Sequence, residues 1–222
     1  MGLEERKKKE KEQRRKTILK AARKQFFEKG FNPVTVASIA RKAELSKGTI
    51  YLYFKSKEEI YAQILLSDID KFHERISSVF QEGKGASEML LDFSDIYIDY
   101  FLADRELFRI LMVFMLRNDS MDFSEELNND LIRATNSTID VIERIFRYGI
   151  DEGEFPPDIN IRQGRNAIWG LLNGVISLHL FTGKESARER KIRSAVKVGL
   201  EGFIKGLTNV YVTDKKGFFE QM

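Results

Sequence analysis

The stretch from Thr35 to Lys57, TVASIARKAELSKGTIYLYFKSK, constrains this chain more than any other. Thr35 suits the N-cap of a short helix over 36–43, because its hydroxyl can accept from a first-turn backbone N–H. Val36, Ile39 and Ala40 recur at +3 and +4 and give that helix one inner face. Ala40 is small where a second helix has to cross closely. Glu44 and Leu45 form the turn, with Leu45 as the wedge between the helices. Ser46 caps a second short helix over 47–53, from which Ile50 and Phe54 point inward. Ser56, with Glu59 three residues on, reads as a capping box that opens a longer helix at Lys57. Upstream, Ile18, Leu19, Ala22, Phe26 and Phe27 mark an amphipathic helix from Thr17 to Lys29. Gly30 stops it, since glycine takes the left-handed backbone without a Cβ clash.

Two short helices across a tight turn, braced by a third, are the geometry that places a helix in the DNA major groove. Such a helix offers its N-terminal residues to base edges, and its N-terminus favours phosphate. Gly48 lets the backbone approach a duplex, Thr49 can meet a base or a thymine methyl, and Lys47 can reach a guanine edge or a phosphate. Tyr53 offers a hydroxyl to phosphate, and Lys57 stands in a first helical turn where a phosphate can sit. Charge agrees. Net charge is only +3, yet residues 1–60 hold 17 Lys/Arg against 8 Asp/Glu, while the remainder is acidic. A basic head on an acidic body suits a polyanion at the head alone. Residues 3–16 carry alternating charges without an apolar face and read as a frayed helical extension or a disordered arm. Their eight basic residues either graze phosphates or are simply solvated.

The segments ILKAARKQFFEKGF, TVASIARKA and LSKGTIYLYFKSKEEI, within about residues 15–62, resemble the N-terminal domain of the tetracycline-repressor (TetR) family of transcriptional regulators. The last segment is highly specific. The resemblance implies that Thr35, Lys47, Gly48, Thr49, Tyr51, Tyr53 and Lys57 fall at DNA-contacting positions. Glu44 departs from the family, which usually has glycine there. A left-handed backbone would cost a glutamate about 1 kcal/mol, so a turn of slightly different shape is expected.

The whole chain reads as all-α, with about nine helices. Residues 1–62 form the basic arm and a three-helix helix-turn-helix DNA-binding domain, and 63–222 a larger helical effector-binding and dimerisation domain. Further helices are expected over 57–81, 86–102, 105–116, 125–151, 161–181 and 187–207. Small residues form stripes on the last two: Ala167, Gly170, Gly174 and Ser177, then Ala195, Gly199, Gly202 and Gly206. Glycine inside a helix costs about 1 kcal/mol against alanine, so these stripes imply close packing, within the chain or across a dimer. With the family resemblance, the expectation is a homodimer using Gly170, Gly174, Ser177, Ala195, Gly199 and Gly202. A C2 pair would space two recognition helices for a palindromic operator.

The resemblance also implies a ligand pocket in the body. Phe93, Tyr97, Phe101, Met112, Met115, Thr135, Trp169 and Asn173 are the candidate lining, mostly apolar with a few polar groups. The expected effector is a small apolar or amphipathic molecule, a fatty acyl species or a lipophilic toxin. No catalytic residue, metal site or cofactor is expected: the chain has no Cys, and His73 and His179 show no ligand spacing. No apolar run approaches the roughly 18 residues of a membrane span, and a cytoplasmic protein is expected. The expected function is a ligand-released repressor; the alternative is a DNA-binding architectural protein without an effector.

Overall fold

The computed structural model describes residues 2–116, 123–180 and 184–219, with backbone alone at 3, 185, 186 and 209–219. The described residues form nine helices and no strand: α1 (Leu3–Lys29), α2 (Val36–Lys42), α3 (Lys47–Tyr51), α4 (Lys57–Ser77), α5 (Ala86–Ala103), α6 (Arg105–Leu116), α7 (Glu125–Asp151), α8 (Ile161–Leu180) and α9 (Glu185–Phe219). The all-α expectation holds. Contacts divide the chain into two compact units, Met1–Asp70 with Asp104–Ala134, and Lys71–Ala103 with Thr135–Met222.

The first unit is built on α1, α2, α3, the start of α4 and α6. Ile18, Ala22, Phe26, Ile39, Ile50, Phe54, Ile60 and Leu65 are buried in it. Tyr61 stands edge-on to Phe26 and Phe31, with centroids 5.0 Å apart in each case. Its hydroxyl donates to the Ile110 carbonyl at 2.6 Å, which satisfies a fully buried phenol and ties α4 to α6. Arg23 on α1 forms the other tie. Its guanidinium reaches Asp68 on α4 at 2.6 Å and also bonds Asp104, just ahead of α6. Asp104 uses its other oxygen to accept from the Leu107 N–H at 2.9 Å, capping α6. Burial works against the charge on Arg23, but Asp68 and Asp104 outweigh it and hold the guanidinium above its ordinary value.

Helix α3 ends at Tyr51 rather than 53, and three helices depart further from their expected lengths. Residues 3–16 are helical and continue straight into α1. Lys, Glu, Arg and Gln are good helix formers, the segment has no Gly or Pro, and Arg14 pairs with Glu10 one turn back at 2.8 Å. An apolar face was not needed. Helix α4 stops at Ser77 rather than near Gln81, and α9 continues past 207 through its glycines to Phe219. The Ser56 cap accepts from the Glu59 N–H at 3.1 Å, but Glu59 reaches back to the Lys55 N–H rather than to Ser56.

The second unit is α5, α8 and α9 with the end of α4 and most of α7. Phe93, Tyr97, Phe101, Phe146, Phe155, Leu172, Ile176, Val196 and Leu200 form its core. Gly149 is the tightest point on α7. A Cβ there would stand 2.6 Å from Phe155 Cε2 and 2.7 Å from Ala86 Cβ. Beside it, the Glu154 carboxylate accepts from the backbone N–H groups of Ala86 and Ser87, at 2.5 and 2.8 Å, and so caps α5 from a distant loop. Gly149→Ala is expected to lower stability by about 2 kcal/mol, because the buried Phe155 ring has to move. Urea unfolding of the variant checks this; an unchanged midpoint would refute the close contact.

Candidate nucleic-acid interface

Local hydrogen bonds hold α2 and α3 in place. Thr35 accepts from the Ser38 N–H at 3.1 Å, and the Ser38 hydroxyl accepts from the Thr35 N–H at 3.1 Å, a reciprocal box that starts α2. Ser46 does the same for α3, accepting from the Thr49 N–H at 3.0 Å. Ala43, Glu44 and Leu45 return their N–H groups to the carbonyls of Ile39, Arg41 and Ala40.

Glu44 corrects the expected turn shape. It takes φ +57°, the left-handed backbone, and is the only non-glycine with positive φ among the described residues. The turn keeps its usual geometry and the glutamate carries the strain, because the helix crossing depends on that geometry more than on one residue's preference. Glu44→Gly is expected to raise stability by about 0.5–1 kcal/mol, the relieved strain less the extra freedom of the unfolded chain. Thermal or urea unfolding measures it; destabilisation would contradict the strained assignment.

The residues expected at DNA fall into two groups. Lys47 and Gly48 are exposed, as is Thr35 at the start of α2, and Thr49 is half-buried. The Lys47 ammonium lies 5.7 Å from the centroid of the Tyr51 ring, which is itself 48% exposed. The Thr49 hydroxyl lies 2.8 Å from that of Ser46, which orients its side chain. Gly48 is open: an added Cβ would meet only Ser46 Oγ, at 3.7 Å. Nothing in the chain itself requires glycine there. Tyr53 is half-buried.

Lys57 is already engaged. Its ammonium donates to the carbonyls of Phe31 and Asn32, at 3.1 and 3.4 Å, and stands 4.2 Å from the Phe31 ring centroid. One N–H remains for a phosphate, so Lys57 braces the α1–α2 loop whatever else it touches. Sequence reasoning passed over Leu52, 77% exposed just beyond α3. An apolar residue between two tyrosines was the available signal.

In the second unit, five candidate lining residues come together. Tyr97 lies edge-on to Trp169 with centroids 5.3 Å apart, and 4.8 and 6.1 Å from the rings of Phe101 and Phe93. Its hydroxyl donates to Asn173 Oδ1 at 2.8 Å, and Asn173 Nδ2 donates to the Trp169 carbonyl at 2.8 Å. Burial pushes the Tyr97 phenol well above its ordinary pKa despite the Asn173 bond. Trp169 Nε1 and Thr135 Oγ1 are buried without a hydrogen-bond partner. Met112 and Met115 are half-buried on α6, in the first unit. Phe72 and His73 on α4 were missed. Phe72 packs 5.4 Å from Tyr97, and His73 Nδ1 is also buried and unpartnered. Their position on the apolar face with Ile69 and Ile76 was the signal. Among the described residues no acidic, His or Cys cluster could hold a metal, and no helix is long and apolar enough to cross a membrane.

The small-residue stripes divide. A Cβ on Gly199 would stand 2.9 Å from Leu171 Cδ1, so α8 and α9 use that glycine themselves. Gly170, Gly174 and Gly202 are exposed with nothing within 4 Å of an added Cβ, and Ser177 is exposed. Ala195 is half-buried, and Val198 is 70% exposed on α9.

Comparison with known proteins agrees with this geometry. Residues 18–64 match the family described as bacterial regulatory proteins, tetR family, and residues 113–195 the tetracyclin repressor-like C-terminal domain. The fatty acid metabolism regulator protein of Bacillus subtilis (strain 168) is 27% identical over 160 residues, which covers 72% of this chain and 80% of that protein. The regulator QacR of Staphylococcus aureus is 26% identical over 184 residues, 78% of this chain and 88% of that one. The fold is shared with FadR from Bacillus subtilis, solved in complex with stearoyl-CoA: TM-score 0.70, 24% identity, 86% of this chain and 98% of that one. The helix-turn-helix, its exposed α3 face and both domain matches lead to one conclusion: the chain belongs to the tetracycline-repressor family of DNA-binding transcriptional regulators.

Proposed function

We propose that the chain is a repressor that binds a palindromic operator as a homodimer and is released by an apolar or amphipathic effector, a fatty acyl species in the first instance. Residues 1–62 read DNA, residues 63–222 bind effector and pair the subunits, and the protein works in the cytoplasm beside the chromosome. The observation that carries the DNA reading is the open, Ser46-capped start of α3 with a glycine the fold does not need. The effector class is supported by the cluster of buried Phe93, Tyr97 and Phe101 with half-buried Trp169 and Asn173, by its unpartnered Trp169 N–H, and by the similarity to a fatty acid metabolism regulator. The dimer is supported by the open glycines of α8 and α9.

The test is fluorescence anisotropy on a duplex selected by the protein from random DNA. A palindromic consensus and loss of binding on adding a long-chain acyl-CoA or free fatty acid are expected, since the effector must prefer the state that does not bind DNA. Affinity that no such compound changes would remove the effector claim. Gly174→Glu is expected to convert dimer to monomer by light scattering and to weaken operator binding more than tenfold. A dimer that survives would move the interface elsewhere.

A further inference from the structure

We propose that the helical arm over residues 3–16 is a second DNA element, gripping the phosphates that flank the half-site read by α3. The proposal rests on the DNA-binding reading above and adds to it a surface that no comparison assigns.

The arm is not a loose charged tail. It continues α1 without a break, from Leu3 to Lys29. Its base is fixed to the first unit, where the Arg15 guanidinium bonds Gln63 Oε1 and lies 5.6 Å from the centroid of the Phe54 ring. A continuous helix anchored at Arg15 projects its first dozen residues in one fixed direction. From Leu3 to Thr17 that is about 21 Å, the length of roughly six base-pair steps.

Its surface faces the right way. Arg6, Lys9, Glu10, Gln13, Arg14 and Thr17 line a shallow groove that Leu45 closes. Leu45 is the turn residue directly before the Ser46 cap of α3, so the groove continues the surface that carries Lys47 and Gly48. The arm holds eight basic residues against four acidic ones. Arg14 is paired with Glu10, whereas Arg6, Lys7, Lys8, Lys9 and Lys11 are exposed and make no ion pair among the described residues. Arg6 and Lys9 line the groove, Lys7, Lys8 and Lys11 add charge elsewhere on the same helix, and together they complement a phosphate backbone. They give no base contacts, so their contribution is affinity without sequence preference.

The test uses the full chain and a duplex it selects from random DNA, in two lengths: the half-sites alone, and the same sequence with ten random base pairs added at each end. The wild type is expected to bind the longer duplex at least tenfold more tightly, with a steeper salt dependence. Replacing Arg6, Lys7, Lys8, Lys9 and Lys11 by Gln keeps good helix formers in place. It is expected to abolish the length effect and flatten the log–log salt slope by two or more. Replacing Glu4, Glu5 and Glu12 by Gln is expected to act oppositely, tightening binding to the longer duplex several-fold. Equal affinity of the wild type for both lengths, or an unchanged slope in both variants, overturns the proposal. Thr49→Ala separates this from the DNA reading itself. If it weakens binding to both lengths while the arm variants do nothing, α3 reads DNA and the arm does not. A wild type that selects no duplex overturns both.

Discussion

Gly48→Ala is expected to stabilise the protein and disable it. An added methyl would meet only Ser46 Oγ, at ordinary contact distance. Alanine is also favoured over glycine inside a helix by about 1 kcal/mol, so the unfolding free energy should rise by roughly 0.5–1 kcal/mol. In the DNA reading proposed above, the same methyl stands at the second residue of α3, on the part of the helix that would enter the groove. A loss of at least tenfold in operator affinity is expected, about 1.4 kcal/mol or more. Urea unfolding and anisotropy on one preparation give both numbers. Stabilisation with unchanged affinity would mean that α3 does not bring its N-terminus to the duplex. Few substitutions separate fold from function so cleanly, because most groups at an interface also touch their own chain.

Arg23→Ala is expected to cost about 3 kcal/mol of stability, the largest effect of any single change considered. Asp68 is decisive, since its side chain is only 7% exposed and would lose the guanidinium it meets at 2.6 Å. Asp104 is 38% exposed, so water compensates much of its loss. Arg23→Lys should recover little, because an ammonium cannot serve two carboxylates in the planar fork of a guanidinium. The double variant Arg23→Ala with Asp68→Asn should recover part of the loss, and a double-mutant cycle in urea measures the coupling. Additive losses would show that the two side chains do not depend on each other.

These two residues also show what could be read in advance. Gly48 stood out in the sequence because helix starts are encoded locally. Thr35, Ser46 and Ser56 each cap where the hydroxyl pattern said they would. The helix stop at Gly30 was equally legible, and it takes positive φ. Arg23 was not legible, since its partners lie 45 and 81 residues away and nothing near it distinguishes it from other arginines on the arm. The same holds for Gly149 against Phe155 and Ala86, and for Glu154 at the start of α5. Glu44 failed differently, whereas residues 3–16 take the helical one of the two readings given for them. In the turn, tertiary geometry overrode a local preference; in the arm, local preference alone sufficed. Of the candidate lining, Phe93, Tyr97, Phe101, Trp169 and Asn173 meet where α5 packs on α8. His73 was set aside for want of a metal-ligand pattern, although its buried Nδ1 was the more informative property.

The Tyr97–Asn173–Trp169 chain carries a polarity. Burial keeps the phenol protonated, so it donates to Asn173 Oδ1, and this fixes which way round the amide stands. One amide N–H is then used on the Trp169 carbonyl, leaving the second N–H and the indole N–H as donors. A ligand bound here, as proposed above, would meet spare N–H donors on Asn173 and Trp169 that suit carbonyl or carboxylate oxygens. The faces of the surrounding rings would equally receive a cation.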